Sequence, residues 1–279
     1  MKKTRIAPTP SGYLHAGNAF NFLVTAALAK VVGAKVVLRI DDLDAERSRL
    51  EYVEDIFQSL EWLGIRVDEG PSGPTDFRTN WSQQLRLERY TALAEELRAA
   101  GVLYPCTCAR PRFEQMDRNE HPCRTSKEEA VAHGTPWRLR IPVPCTVGVK
   151  QFDGTTSALD LPALLPDPII LQRDNARPAY QIASLCDDLE MGITFIVRGA
   201  DLLPSTACQA HLAQLLKRDT FAEVRFHHHA LAVDADGSKL SKSAGSASLK
   251  AMREAGTSPA ALIAQATAYA EMLAKHFRL

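Results

Sequence analysis

Between Arg5 and Ile40 the chain spells strand, helix, strand, and that order constrains the fold more than any other feature of the sequence. Arg5-Ile6-Ala7 is a short β-forming run stopped by Pro8 and Pro10, and Ser11-Gly12 turns the chain. A helix is expected from about Gly17 to Val32, closed by Gly33. Val36-Val37-Leu38-Arg39-Ile40 is a compact apolar run of the kind a buried parallel strand requires. Two such strands joined by one helix form a βαβ unit of an open parallel sheet. These sheets bind ligands outside the carboxyl ends of their strands.

Further along, Val53, Ile56, Leu60 and Leu63 recur at helical spacing before Gly64. Another helix is expected to start near Ser82 as N-cap and to end before Gly101. From Val102 to about Pro178 prolines are frequent, three cysteines cluster, and short β-like runs (Trp137 to Val143, Cys145 to Phe152) replace helical patterning. This stretch reads as an inserted subdomain. Helix and strand patterns return at Tyr180–Asp188 and Ile193–Arg198. Ser258-Pro259 opens a closing helix with the apolar stripe Leu262, Ala266, Tyr269, Leu273 and Phe277.

Composition narrows the function. Lys plus Arg is 33 and Asp plus Glu is 33 in 279 residues, so this is no polycation that coats nucleic acid, although a local basic groove remains possible. No apolar run reaches the ~20 residues a bilayer span needs, and no signal-peptide pattern opens the chain. A cytoplasmic protein with no membrane partner, and a monomer, is the expectation. Six cysteines in a chain this long are not a disulfide scaffold, so the tight pair Cys106 and Cys108 points to metal rather than a bridge.

Two strings carry phosphate chemistry. The first is Pro8-Thr9-Pro10-Ser11-Gly12-Tyr13-Leu14-His15-Ala16-Gly17-Asn18, where a helix begins. A helix N-terminus presents unpaired N–H groups to an anion, Gly17 permits close backbone approach, and His15 and Asn18 add side-chain donors. The second is Lys239-Leu240-Ser241-Lys242-Ser243, where two lysines can clamp a polyphosphate as movable point charges. Taken singly, the first is equally an ordinary strand-to-helix turn and the second a solvated basic loop.

Together the two strings resemble the signature of class I aminoacyl-tRNA synthetases. Arg5-Ile6-Ala7-Pro8-Thr9-Pro10-Ser11-Gly12 resembles the R-[FI]-A-P-S-P-T-G opening of glutamyl-tRNA synthetases, and Leu38-Arg39-Ile40-Asp41-Asp42-Leu43-Asp44 resembles their L-R-I-E-D-T-D. Ala179-Tyr180-Gln181-Ile182-Ala183, Asp187-Asp188 and Val197-Arg198-Gly199-Ala200-Asp201-Leu202 resemble later active-site segments of the same family. Only 36 residues follow Ser243, which leaves room for a short helical segment and not an anticodon-binding domain. The resemblance is therefore to the truncated, glutamyl-Q branch of the family.

That resemblance implies an α/β fold: a Rossmann-like parallel sheet with an inserted zinc-loop subdomain and a short C-terminal helical segment. It divides the chain into a first catalytic half (1–101), an inserted acceptor-binding and zinc subdomain (102–178), a second catalytic half (179–243) and a closing segment (244–279). It implies activation of glutamate with ATP and Mg²⁺, then transfer to the queuosine base of tRNA(Asp). The reaction starts with attack of an already ionised carboxylate on the α-phosphorus, so positioning and charge neutralisation do the catalysis. His15, Gly17, Asn18, Lys239 and Lys242 would bind ATP, with His15, Asn18 and the two lysines catalytic. Arg5, Ala7, Thr9, Asp41, Tyr180, Ser184 and Arg198 would bind the amino acid. Arginine forks suit its carboxylates. Asp41 stands where the family has glutamate and Ser184 where full-length enzymes have asparagine, but both arginines are kept and glutamate remains the expected substrate. The family's zinc pattern is C-x-C, then Tyr and Cys; here Cys106, Cys108 and Cys123 are present and the tyrosine position holds Asn119, so His121 is the candidate fourth ligand. Other readings are a short glutamyl-tRNA synthetase for tRNA(Glu), a ligase charging a carrier protein or small metabolite, and a non-catalytic ATP or amino-acid sensor. In His227-His228-His229, strand alternation leaves one ring near an adenine pocket and the others exposed.

Overall fold

The structure is a computed structural model that describes residues 1–108, 121–125, 134–173, 177–230 and 248–277. The expected βαβ unit is there. Strand β1 (Lys3–Ile6) is followed by helix α1 (Ala16–Val32) and strand β2 (Lys35–Leu38), and β1 pairs with β2 in parallel, Lys3 opposite Lys35 and Ile6 opposite Leu38. Gly33 ends α1 in the left-handed region (φ 64°), as a glycine C-cap does. Helix α2 (Leu50–Trp62) buries Val53, Ile56 and Leu60.

Two expectations from the sequence need correction. The helix expected from Ser82 starts as a 3₁₀ turn, Gln83–Arg86, and helix α3 runs only from Leu87 to Ala99. The Asp42 carboxylate accepts from Ser82 Oγ and from the Gln83 N–H, and the Gln83 amide reaches across to Asp187, so tertiary bonds hold this turn tight. The run Trp137 to Val143 is a strand only over Trp137–Leu139: Pro142 and Pro144 cannot donate to a ladder, and the Ile141 N–H bonds to Asp167 instead.

The middle of the chain is antiparallel. Strands β3 (Leu103–Pro105), β4 (Trp137–Leu139) and β7 (Ile169–Leu171) make a three-stranded sheet in the order β3-β4-β7, while β5 (Thr146–Lys150) and β6 (Thr156–Asp160) form a hairpin. Helix α4 (Tyr180–Glu190) leads to β8 (Phe195–Gly199), helix α5 (Leu203–Leu215) and β9 (Arg225–His229), with β8 and β9 parallel. The two parallel pairs abut where Thr194 and Lys3 exchange backbone and hydroxyl hydrogen bonds. Apolar residues from β3 to β7 share one cluster with α4, β8 and α5, and a second cluster joins β1, β2, α1 and α2 to the closing helix α7 (Ala260–Phe277). No described helix is long and apolar enough to cross a membrane.

A short helix, α6 (Leu249–Glu254), is pinned to α2 by Arg253, whose guanidinium bonds to Asp55 at 2.7 Å, to Ser59 at 2.7 Å and to Gln58 at 3.1 Å. Asp55 is 3% exposed, so removing its partner leaves a buried carboxylate uncompensated. Arg253→Ala is expected to cost about 2–3 kcal/mol, read as a drop in the denaturant midpoint at unchanged m-value.

Candidate amino-acid and nucleotide site

The turn after β1 delivers His15 as the N-cap of α1. Its Nδ1 accepts from the Gly17 N–H at 3.1 Å, while Asn18 Oδ1 accepts from the His15 N–H at 3.0 Å, a reciprocal capping box. A ring nitrogen that accepts puts the proton of the neutral imidazole on Nε2. The donors these residues can offer an anion are therefore His15 Nε2 and Asn18 Nδ2, beside the helix's own N–H groups. Lys239, Lys242 and the rest of their loop lie outside the described residues. The chain on either side of that loop does not. His229 bonds Asn21 on α1 at 3.0 Å, and Ser248 forms a β-bridge with His15 while the Leu249 N–H donates to Leu14 at 2.7 Å. Both flanks thus sit along the first turns of α1.

The expected amino-acid residues gather around a buried ionic cluster. Arg5 on β1 donates from Nε to Asp188 at 3.1 Å. Arg39, just past β2, forks onto Asp41 at 2.6 and 3.0 Å, reaches Asp188 at 2.8 Å, and donates to the Ser184 backbone carbonyl and hydroxyl. Arg39 and Asp41 share a face because they lie two apart in extended chain. Thr9, Asp41 and Tyr180 line one cavity of about 340 Å³ with Gln83, Gln172 and Arg177. Arg198, on β8, is 2% exposed and donates from Nη2 to Gln209 on α5. Ala7 is half-buried in the turn leaving β1.

Electrostatics follows from burial. Burial works to lower the affinity of Arg39 for its proton, but Asp41, Asp188 and Asp187 outweigh it and hold the guanidinium above its ordinary range. Burial pushes the Asp41 carboxyl up, against the pull of Arg39, and it pushes Asp187 up against Arg39 and Arg86. Arg198 is brought down to about 10, chiefly by burial, with Arg5 and Arg39 adding repulsion. Gln83 and Gln209 were not named from sequence, and Arg39, Asp187 and Asp188 were named only within segments that resemble the family's, with no role assigned to them. A charged residue at the end of an apolar strand, and an Asp-Asp pair within helix α4, are the signals that mark those three.

Cys106, Cys108, His121 and Cys123 converge, with one donor atom from each lying within 4.8 Å of all the others. Cys108 and Cys123 sulfurs are 3.9 Å apart, and His121 Nε2 is 4.0 Å from Cys106 Sγ. This group could hold a metal ion. Asn119 lies outside the described residues. Of the three isolated cysteines, expected as small core residues, Cys186 and Cys208 are buried and Cys145 is half-buried.

The histidine run departs from expectation, since His227 and His228 are half-buried and His229 is buried. His227 Nε2 meets the Tyr269 hydroxyl at 3.0 Å, His228 Nε2 meets Thr206 Oγ1 at 2.7 Å, and His229 meets Asn21. Helices on both sides of the strand cover both faces, so alternation exposes neither.

The family described as tRNA synthetases class I (E and Q), catalytic domain, matches residues 2–270. The chain is 37% identical over 277 residues to glutamate–tRNA ligase 2 of Acidiphilium cryptum, a match covering 94% of this chain and 60% of that one. It is 35% identical over 298 residues to the glutamyl-Q tRNA(Asp) synthetase of Nitratidesulfovibrio vulgaris, covering 98% and 86%. Among solved structures, a glutamate-tRNA synthetase from Elizabethkingia anophelis aligns with a TM-score of 0.71 at 23% identity over 91% of this chain and 54% of that chain, a likeness of fold.

Burial pushes His227 down to about 4 and His228 to about 3. Unfolded histidine titrates near 6.5, so below that pH the unfolded chain takes up protons that the native rings refuse. Stability present above pH 6.5 is expected to fall toward pH 4 by about 1–2 kcal/mol per ring, after allowing for partial exposure. Melting temperature against pH for the wild type and for His227→Gln and His228→Gln checks this, with flatter profiles expected in the variants.

Proposed function

The chain belongs to the class I (E and Q) tRNA synthetase catalytic-domain family, and from that membership we propose that it activates glutamate with ATP and transfers the glutamyl group to the queuosine base of tRNA(Asp). The observation that carries the amino-acid assignment is Arg198: a buried guanidinium whose Nε and Nη1 have no hydrogen-bonding partner, set among Arg5, Asp188 and Tyr180. Five donors in a planar fork suit a carboxylate. The cavity lined by Asp41 and Tyr180 offers an acidic partner for an ammonium group.

In the first step the glutamate α-carboxylate attacks the α-phosphorus of ATP, the bond to pyrophosphate breaks, and glutamyl-adenylate forms. The N-terminus of α1, His15 Nε2 and Asn18 Nδ2 face the negative charge, and Lys239 and Lys242 neutralise the departing pyrophosphate. In the second step a hydroxyl of the modified base attacks the adenylate carbonyl, AMP leaves, and the hydroxyl proton goes to solvent. The acceptor assignment is supported by a relative named for it, of which this chain covers 86%. A second reading, acylation of tRNA(Glu), is favoured by the 37% identity to a glutamate–tRNA ligase, of which the chain spans 60%. The same proposal makes the protein a cytoplasmic monomer.

Zinc fits the Cys106, Cys108, His121 and Cys123 group. Tetrahedral zinc with thiolate and imidazole ligands separates its donor atoms by about 3.8 Å, close to the spacings here. Four protein ligands leave no open position, so the metal would tie β3 to the Pro122–Thr125 turn and take no part in the chemistry.

Labelled glutamate should acylate queuosine-bearing tRNA(Asp) and leave queuosine-free tRNA(Asp) and tRNA(Glu) uncharged; charging of tRNA(Glu) alone would select the second reading. Elemental analysis should find about one zinc per chain, reduced well below that by Cys108→Ser or His121→Ala. A chelator should lower the melting temperature of the wild type and leave those variants unchanged.

A further inference from the structure

Three arginines are buried in the amino-acid site, and they are held in different ways. Arg5 meets the Asp188 carboxylate, and Arg39 meets Asp41 and Asp188. Arg198 is held by a neutral group. Its Nη2 donates to Gln209 Oε1 at 2.9 Å, and its guanidinium lies over the Phe226 ring, 5.2 Å from the centroid. No carboxylate among the described residues bonds to it, while its Nε and Nη1, and Gln209 Nε2, are buried without a partner. Gln209 is itself fully buried on α5.

A full charge at this depth with no carboxylate bonded to it, and with Asp188 already shared by Arg5 and Arg39, is expensive, and a site designed only for stability would place an acid at position 209. An amide there does something else. It accepts a hydrogen bond, so it fixes where the guanidinium lies, but it carries no charge, so it leaves Arg198 electrostatically unspent. We propose that Gln209 is the specificity-determining residue of the amino-acid site: it holds Arg198 with a neutral acceptor and so reserves that charge for the side-chain carboxylate of the substrate. The inference rests on the reading of the site as a glutamate site. The reacting α-carboxylate has to reach phosphates at the exposed start of α1, so the deeply buried Arg198 meets the far end of the amino acid. Gln209 Nε2 supplies a further donor of the kind that end accepts.

The argument predicts what an isosteric acid would do. A carboxylate at 209 would neutralise Arg198 from within the protein, and an incoming anionic side chain would meet a spent cation and a like charge. A neutral amide side chain would lose little. Discrimination between glutamate and glutamine would narrow because the anionic substrate alone is penalised.

The test is amino-acid-dependent ATP–pyrophosphate exchange by the full chain, with glutamate and with glutamine, for the wild type, Gln209→Glu and Gln209→Met. The wild type must exchange with glutamate; if it does not, the glutamate reading of the site falls and this inference with it. Gln209→Glu is expected to raise the KM for glutamate about 30-fold or more, to move the KM for ATP less than about 3-fold, and to narrow the glutamate-to-glutamine preference about 10-fold. Gln209→Met keeps the volume and removes the acceptor, and is expected to raise the glutamate KM about 10-fold at a comparable melting temperature. Should Gln209→Glu fail to fold, the Met variant decides. An unchanged glutamate KM in a folded variant, or equal losses for both amino acids and ATP, would overturn the assignment in favour of a packing role.

Discussion

Asp188 is the point on which the site depends. One carboxylate, fully buried on α4, accepts from Arg5 on β1 and from Arg39 beyond β2. Those bonds join a helix to two strands that come from sequence positions far before it. Buried charge persists only when it is paired, so each of these three side chains requires the others to be in register. The Arg39 fork onto Asp41 extends the same network to the wall of the cavity. A polar cluster of this kind stabilises little against an apolar core, but it specifies geometry, because misplacement of any member leaves a neighbour uncompensated.

The nucleotide end is arranged differently. His15 and Asn18 use acceptor atoms in the cap of α1, so the residues that stop the helix from fraying also stand at the positive end of its dipole. The chain returns to this point after the lysine-bearing loop: Ser248 bridges His15, and α6 is bolted to α2 through Arg253. The segment before that loop is held to α1 by the His229–Asn21 side-chain bond, and the segment after it by backbone bonding beside His15 and by the Arg253–Asp55 pair on α2.

Much of this was legible in the sequence. The strand-helix-strand opening, the glycine that ends α1, the apolar stripe of the closing helix and the cluster Cys106, Cys108 and Cys123 follow from local patterning, while His121 was a candidate ligand through the resemblance to a family zinc pattern. Less legible were features set by distant partners. The 3₁₀ turn after Ser82 exists because Asp42 and Asp187 draw it in, and the histidine run is covered because helices pack on both faces of β9. Neither cause lies within a few residues of its effect.

Local order of apolar and turn-forming residues was enough to determine an α/β chain whose first helix starts in the turn after its first strand, and a cysteine loop, because helix and strand periods are properties of neighbours along the chain. Which arginine would be neutralised by the protein and which left charged was decided only in three dimensions. Arg5, Arg39 and Arg198 read alike as letters; Asp188 and Gln209, brought up by α4 and α5, make them different, because the charge state a buried group presents depends on what packs against it.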